Sequence, residues 1–264
     1  TQHRAAALES LLEIYVQEKE WPKAIETAKR LALSVNRPCQ KEIAQFDCEL
    51  ALTESTQNRL ESARGYLGEA LRENRECVRA NELLGDIEMQ QGHVEAALQA
   101  WKRIETQNPA YLALVIGRIV AAYRQLDRTD EALAVARDYL NRYPALEILD
   151  AAYHLVLERE GPHAAYPLVR DSLRRSPSLQ GLDALLEAQL MVAPIEQRPD
   201  LQGVKNLVHA YAARLAYYRC DSCGFRARIF HWRCPACGGW ETFPPRRSEE
   251  DAERDRSGSN FNPG

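Results

Sequence analysis

Five alanines, Ala24, Ala63, Ala97, Ala132 and Ala165, recur at intervals of 39, 34, 35 and 33 residues, each inside a related short phrase. The phrase reads Glu20-Trp-Pro-Lys-Ala24-Ile, then His93-Val-Glu-Ala-Ala97-Leu, Thr129-Asp-Glu-Ala132-Leu and Gly161-Pro-His-Ala-Ala165, with a more altered form around Ala63. A period near 34 residues is that of helix-turn-helix units that stack on one another, because no single pair can bury its apolar face alone. Ahead of each alanine, apolar residues fall at helical spacing, as in Leu8, Leu11, Leu12 and Tyr15, or Ile116, Ile119, Val120 and Tyr123. The small residue opening the second helix lets the two helices approach closely. Pro109, Pro144 and Pro177 then fall where that helix must stop. The long first interval, with Pro38-Cys39-Gln40, predicts an extended linker between the first two units.

The third unit is the most regular: Leu84-Gly85 in its first helix, Ala97 opening its second, Trp101 and Ile104 along it, and Pro109 closing it. This resembles the tetratricopeptide repeat, over five units from about Ala5 to Pro177. The resemblance implies an all-α fold, a right-handed superhelix of helix pairs. Trp21 and Trp101 take repeat-interior positions and are expected in the core. Two more amphipathic helices, Leu179 to Val192 and Leu201 to Tyr217, are split by a breaker-rich stretch ending in Pro199-Asp200. The domain expectation is therefore repeats over 1–177, degenerate capping helices over 178–216, a metal-binding module over 217–245 and a charged, disordered tail over 246–264.

That module rests on Cys220-Asp-Ser-Cys223-Gly and Cys234-Pro-Ala-Cys237-Gly. Two C-x-x-C pairs close together, each followed by glycine, read as knuckles presenting four thiolates to one ion. Gly224 and Gly238 supply the left-handed conformation that such a turn requires. The β-formers between the pairs suit a small zinc ribbon, and zinc is the first choice of metal, with iron the alternative. Four protein sulfurs leave no open position, so the role is structural rather than catalytic. Cys39, Cys48 and Cys77 lie in helical segments without a pairing pattern, which fits a reducing compartment better than disulfides do.

The formal net charge of -4 argues against a general nucleic-acid binder. Locally the balance reverses: between Arg214 and Arg247 seven arginines face only Asp221 and Glu241, interleaved with Phe225, Phe230, Trp232, Trp240 and Phe243. Two readings stay open there. The aromatics dock the ribbon on the last helices, or the ribbon binds nucleic acid. The histidines are scattered, and no phosphate loop, nucleophile elbow or H-E-x-x-H appears, so nothing nominates an enzyme. The chain begins at Thr1 and enters a helical pattern almost at once, as a fragment whose N-terminal anchor or signal lies outside it would.

A solenoid of this kind leaves a concave surface lined by first helices, the default site for a protein segment. The repeat projects Arg79, Glu82, Asp86 and Met89 of the third unit onto it. Gly117, Ala121 and Arg124 follow from the fourth unit, and Asp150, His154 and Leu157 from the fifth.

Repeats followed directly by Tyr218-Arg-Cys220-x-x-Cys223-Gly-Phe and Trp232-x-Cys234-Pro-x-Cys237 resemble the lipopolysaccharide assembly protein B family of Gram-negative bacteria. The resemblance implies a protein tethered to the inner membrane by an N-terminal helix, with its repeats and a rubredoxin-like domain in the cytoplasm. It implies a non-enzymatic adaptor that promotes turnover of the committed-step lipid A deacetylase by a membrane AAA protease. By position, the family's metal-binding cysteines fall on Cys220, Cys223, Cys234 and Cys237, and its ribbon packs against the repeats.

Overall fold

The computed structural model describes residues 2–36, 38–215 and 218–245. Among these, twelve α-helices follow one another in six pairs. The pairs are α1 (Gln2–Gln17) with α2 (Trp21–Val35), α3 (Gln40–Thr56) with α4 (Leu60–Glu73), and α5 (Val78–Gln90) with α6 (Val94–Gln107). Then come α7 (Leu112–Gln125) with α8 (Thr129–Arg142), α9 (Leu146–Glu160) with α10 (Pro162–Arg175), and α11 (Leu179–Val192) with α12 (Arg198–Leu215). A short 3₁₀ turn, Pro109–Tyr111, precedes α7. The chain divides into two compact units, residues 1–109 and 110–264. The expected disordered tail, 246–264, lies outside the described residues. Among the described residues no helix is long and apolar enough to cross a membrane.

The alanine period is a packing period. Ala24, Ala63, Ala97, Ala132 and Ala165 are all at most 1% exposed, so each second helix meets its neighbours with no room for a larger side chain. In the first unit α3 packs on α4 and also on α2 and α5; in the second, α9 packs on α7, α8 and α10. Trp101 is buried and donates its indole N–H to the Glu82 carbonyl at 3.2 Å. The ring lies directly over Gly85, where a Cβ would sit 2.2 Å from Nε1. The Leu84-Gly85 pair is thus the socket for the tryptophan sixteen residues on.

Two expectations change. The extended linker after the first unit is absent, since the step from Val35 to Gln40 is as short as that from Glu73 to Val78. The extra length lies in α3, 17 residues against 13 in α5. The last helix starts at Arg198 rather than Leu201, because Pro199 sits in its first turn, where a missing N–H costs nothing. Its expected end at Tyr217 lies outside the described residues.

The turns inside the pairs share one further device. Lys19, Asn58, Gly92, Asp127 and Gly161 each have positive φ and each stand just after the first helix of a pair. Among the described residues none is found in the turn between α11 and α12, whereas a positive-φ residue reverses the chain in each of the first five pairs. Its side chain is unconstrained enough that glycine, asparagine, aspartate and even lysine occupy it, so identity alone does not reveal it.

Candidate metal centre and partner groove

Beyond the helices, β1 (Tyr218–Arg219) pairs antiparallel with β2 (Arg226–Ala227), and Arg233 forms an isolated bridge with Trp240. Each short ladder carries one knuckle. The Cys220 amide donates to the Phe225 carbonyl at 2.9 Å and the Gly224 amide to the Cys220 carbonyl at 2.8 Å. The second knuckle repeats the pattern, Cys234 amide to Gly239 carbonyl at 2.8 Å and Gly238 amide to Cys234 carbonyl at 2.9 Å. Gly224 (φ +76°) and Gly238 (φ +73°) take the left-handed conformation that closes both turns.

The knuckles bring Cys220, Cys223, Cys234 and Cys237 together, their four Sγ atoms within 4.8 Å of one another. Two edges of the cluster are resolved: Cys220 to Cys237 at 3.8 Å and Cys223 to Cys234 at 3.7 Å. A disulfide needs about 2.05 Å, so these are free thiols. A tetrahedron with metal–sulfur bonds of about 2.3 Å has edges of about 3.8 Å, so the donor set fits one tetrahedral ion. Cys220 and Cys234 are buried, whereas Cys223 and Cys237 are exposed. His231 is not part of the cluster and packs edge-on to Phe243 instead.

The cluster favours ionised sulfur unevenly. Burial works to raise the Cys220 pKa, but the Thr242 hydroxyl and the amides of Cys223 and Ser222 outweigh it and bring it down to about 6. At Cys223 the Phe225 amide favours the thiolate, yet burial and the neighbouring sulfurs push the pKa up to about 12. Several thiolates this close repel one another, and a cation among them removes the conflict.

The ribbon is held by aromatic contacts. Trp232 stacks on Tyr111 with centroids 5.1 Å apart and planes 6° from parallel, while Phe230 meets Tyr111 and Trp232 edge-on. Burial raises the Tyr111 pKa, with Glu241 and Asp221 adding to the effect, so the ring stays a neutral phenol. Trp240 lies under the Arg233 guanidinium, and Phe243 is fully buried. Phe230 and Trp232 thus meet the helical part at Tyr111, ahead of α7 and not on the last helices as expected, while the contacts of Trp240 and Phe243 lie within the ribbon.

The residues projected onto a concave surface divide by position. Arg79 and Glu82 are buried, and Arg79 donates to Gln45 and forms an ion pair with Glu49 at 2.7 Å. Asp86 and Met89 are half-buried on the same helix. In the second unit Arg124, Asp150 and His154 are exposed and line one half-open groove of about 700 Å³, together with Gly117, while Leu157 is half-buried and outside its lining. The sequence did not single out the groove's far wall, Asp183, Glu187 and His209 on α11 and α12. Those helices lie beyond the regular period, and the His209 to Asp183 contact at 2.8 Å and the Lys205 to Glu187 ion pair at 3.1 Å join them here.

A family profile described as the rubredoxin metal binding domain matches residues 218–245, and one described as the tetratricopeptide repeat matches residues 48–111 and 84–147. The chain is 27% identical over 248 residues to lipopolysaccharide assembly protein B of Escherichia coli (strain K12), covering 94% of this chain and 64% of that protein. It is 28% identical over 252 residues to the protein of the same name from Haemophilus influenzae, covering 92% of this chain and 62% of that protein. The chain therefore spans less than two thirds of the length of these curated relatives. Among solved structures, BtubC (BKLC) from P. vanneervenii shares the fold with a TM-score of 0.51 at 14% identity, over 76% of this chain and 91% of that one.

Proposed function

We propose that this chain, which resembles the lipopolysaccharide assembly protein B family through both its repeats and its ribbon, is a non-enzymatic adaptor in lipopolysaccharide assembly. The observation that carries the reading is the joint match: similarity to proteins of that name runs over 94% of the chain, through the helix pairs and into the four-cysteine module. Either half alone would specify only a repeat scaffold or a metal knuckle.

In this reading Cys220, Cys223, Cys234 and Cys237 hold one zinc ion, with iron as the alternative, and the filled tetrathiolate shell leaves no site for a substrate. The ion's contribution is folding free energy for a module too small to build its own core. Helix pairs over 1–177, capped by 178–216, present client-binding surfaces, with Asp86 and Met89 in the first compact unit and Arg124, Asp150, His154 and Leu157 in the second. Arg79, paired with Glu49, and Glu82 are buried and support the first-unit part of that surface from beneath. The client is the committed-step lipid A deacetylase, and the adaptor raises its local concentration beside a membrane AAA protease on the cytoplasmic face of the inner membrane. Such an effect needs no chemistry by this chain.

Immobilised chain should retain purified lipid A deacetylase, and deacetylase turnover by the protease should quicken when the chain is added. No retention by wild-type, metal-loaded protein would remove the adaptor reading.

A further inference from the structure

We propose that the half-open groove bounded by α7, α9, α11 and α12 receives an apolar segment of a partner protein that carries an arginine or lysine, whose cation meets Asp183. This rests on the adaptor reading and names the chemistry of the client segment.

The groove's volume, about 700 Å³, falls in the range of about 300–1,000 Å³ typical of pockets that enclose a compact ligand group. Beneath it lie the apolar side chains Ile116 and Val120 from α7, Leu149 and Tyr153 from α9 and Val169 from α10, each at most 7% exposed, so the groove floor is the outer edge of the core. A half-open trough of this kind suits side chains laid along it, because the backbone that joins them stays in water.

The polar lining is one-sided. Glu147, Asp150, Asp183 and Glu187 are carboxylates, Arg124 is the lone lysine or arginine among the lining residues, and the lining histidines His154 and His209 each sit against one of the carboxylates, Asp150 at 3.3 Å and Asp183 at 2.8 Å. Arg124 is already engaged by Glu158, outside the lining, and Lys205 offsets Glu187 at 3.1 Å. Asp183 is the pointed feature. Its Oδ2 accepts from His209 Nδ1, while its Oδ1 is buried without a hydrogen-bond partner. A carboxylate with one oxygen lacking a donor is under-satisfied, and the Asp183 side chain, 19% exposed in the groove lining, is where a ligand cation would meet it. The Tyr153 pKa is raised by burial, then by Glu187 and Asp150, which reports the same negative potential on the apolar wall. Nucleic acid would meet repulsion here, and an acidic peptide likewise.

The test uses two labelled peptides followed by fluorescence anisotropy, one alternating leucine with arginine and the other leucine with glutamate. The arginine peptide is expected to bind at least about tenfold more tightly than the glutamate peptide. Asp183→Asn should weaken it by about tenfold. Gly117→Leu supplies the steric arm: Gly117 lines the groove and a Cβ there meets nothing within 4 Å, so the leucine occupies the groove without disturbing α7. It should abolish binding while the melting temperature holds or rises. Glu13→Gln on α1 removes the same unit of charge and should leave binding unchanged. Equal binding of the two peptides, wild-type binding by Asp183→Asn or Gly117→Leu, or an equal loss with Glu13→Gln overturns the proposal. Deacetylase retained by Gly117→Leu at the wild-type level also overturns it and leaves the adaptor reading intact. No retention by wild type removes the adaptor reading, and the peptides still report on the groove.

Discussion

Replacing Gly85 with alanine should destabilise the first unit, although the same change in an open helix stabilises. At an unhindered helix interior, Gly→Ala gains about 1 kcal/mol. At Gly85 the new Cβ would lie 2.2 Å from Trp101 Nε1, 2.5 Å from Cδ1 and 2.6 Å from Cε2. The indole is 1% exposed and has nowhere to go. Overpacking of this kind costs about 1–3 kcal/mol. Tilting the ring also breaks its bond to the Glu82 carbonyl, which leaves a buried donor unpaired at a further cost of about 1–3 kcal/mol. The net is a loss of about 3 kcal/mol, a fall in melting temperature of roughly 6–12 °C for a protein of this size. Thermal melts followed by circular dichroism would read it, with Gly117→Ala as the control: its Cβ meets nothing within 4 Å and should raise stability by up to about 1 kcal/mol. A Gly85→Ala protein as stable as wild type would refute the socket argument.

Other perturbations probe the packing and the charge of the same helices. Ala132→Leu should cost about 1–3 kcal/mol by urea denaturation, because Ala132 is 1% exposed and lies at the helix-pair contact. Asp47, 6% exposed on α3, has its pKa raised from 3.8 to about 7 by burial, with Lys29 opposing and Glu69 and Glu73 reinforcing. The folded state therefore prefers the neutral acid, so this group's contribution is whole below about pH 4 and lost as pH rises to about 7, a span of at most about 4 kcal/mol. Asp47→Asn should gain on wild type progressively over that window and match it in acid. Stability curves that stay parallel across it would contradict the assignment.

What the sequence made legible was whatever repeats or is spaced within one turn of chain. The alanine period locates the helix pairs because each alanine meets the same steric demand. The C-x-x-C-G spacing brings two sulfurs to one side of a turn by local geometry alone. What it hid depends on partners distant in sequence. Arg79 looks like surface by helical phase, yet Glu49, thirty residues earlier, draws it inward. Trp232 finds Tyr111 across more than a hundred residues, and no local pattern announces that pairing. The groove's far wall lies on α11 and α12, where the repeat signature has decayed, so Asp183 carried no signal. Extra length in the first interval read as a linker because a lengthened α3 and a longer loop have the same period.

Metal content bears most directly on the four-sulfur centre that orders the ribbon. Elemental analysis of carefully reduced protein should give one equivalent of zinc or iron per chain, lost together with the near-ultraviolet dichroism of the Trp232 stack in Cys234→Ser/Cys237→Ser. Substoichiometric metal alongside an ordered ribbon, or a double variant that keeps the stack, would contradict it.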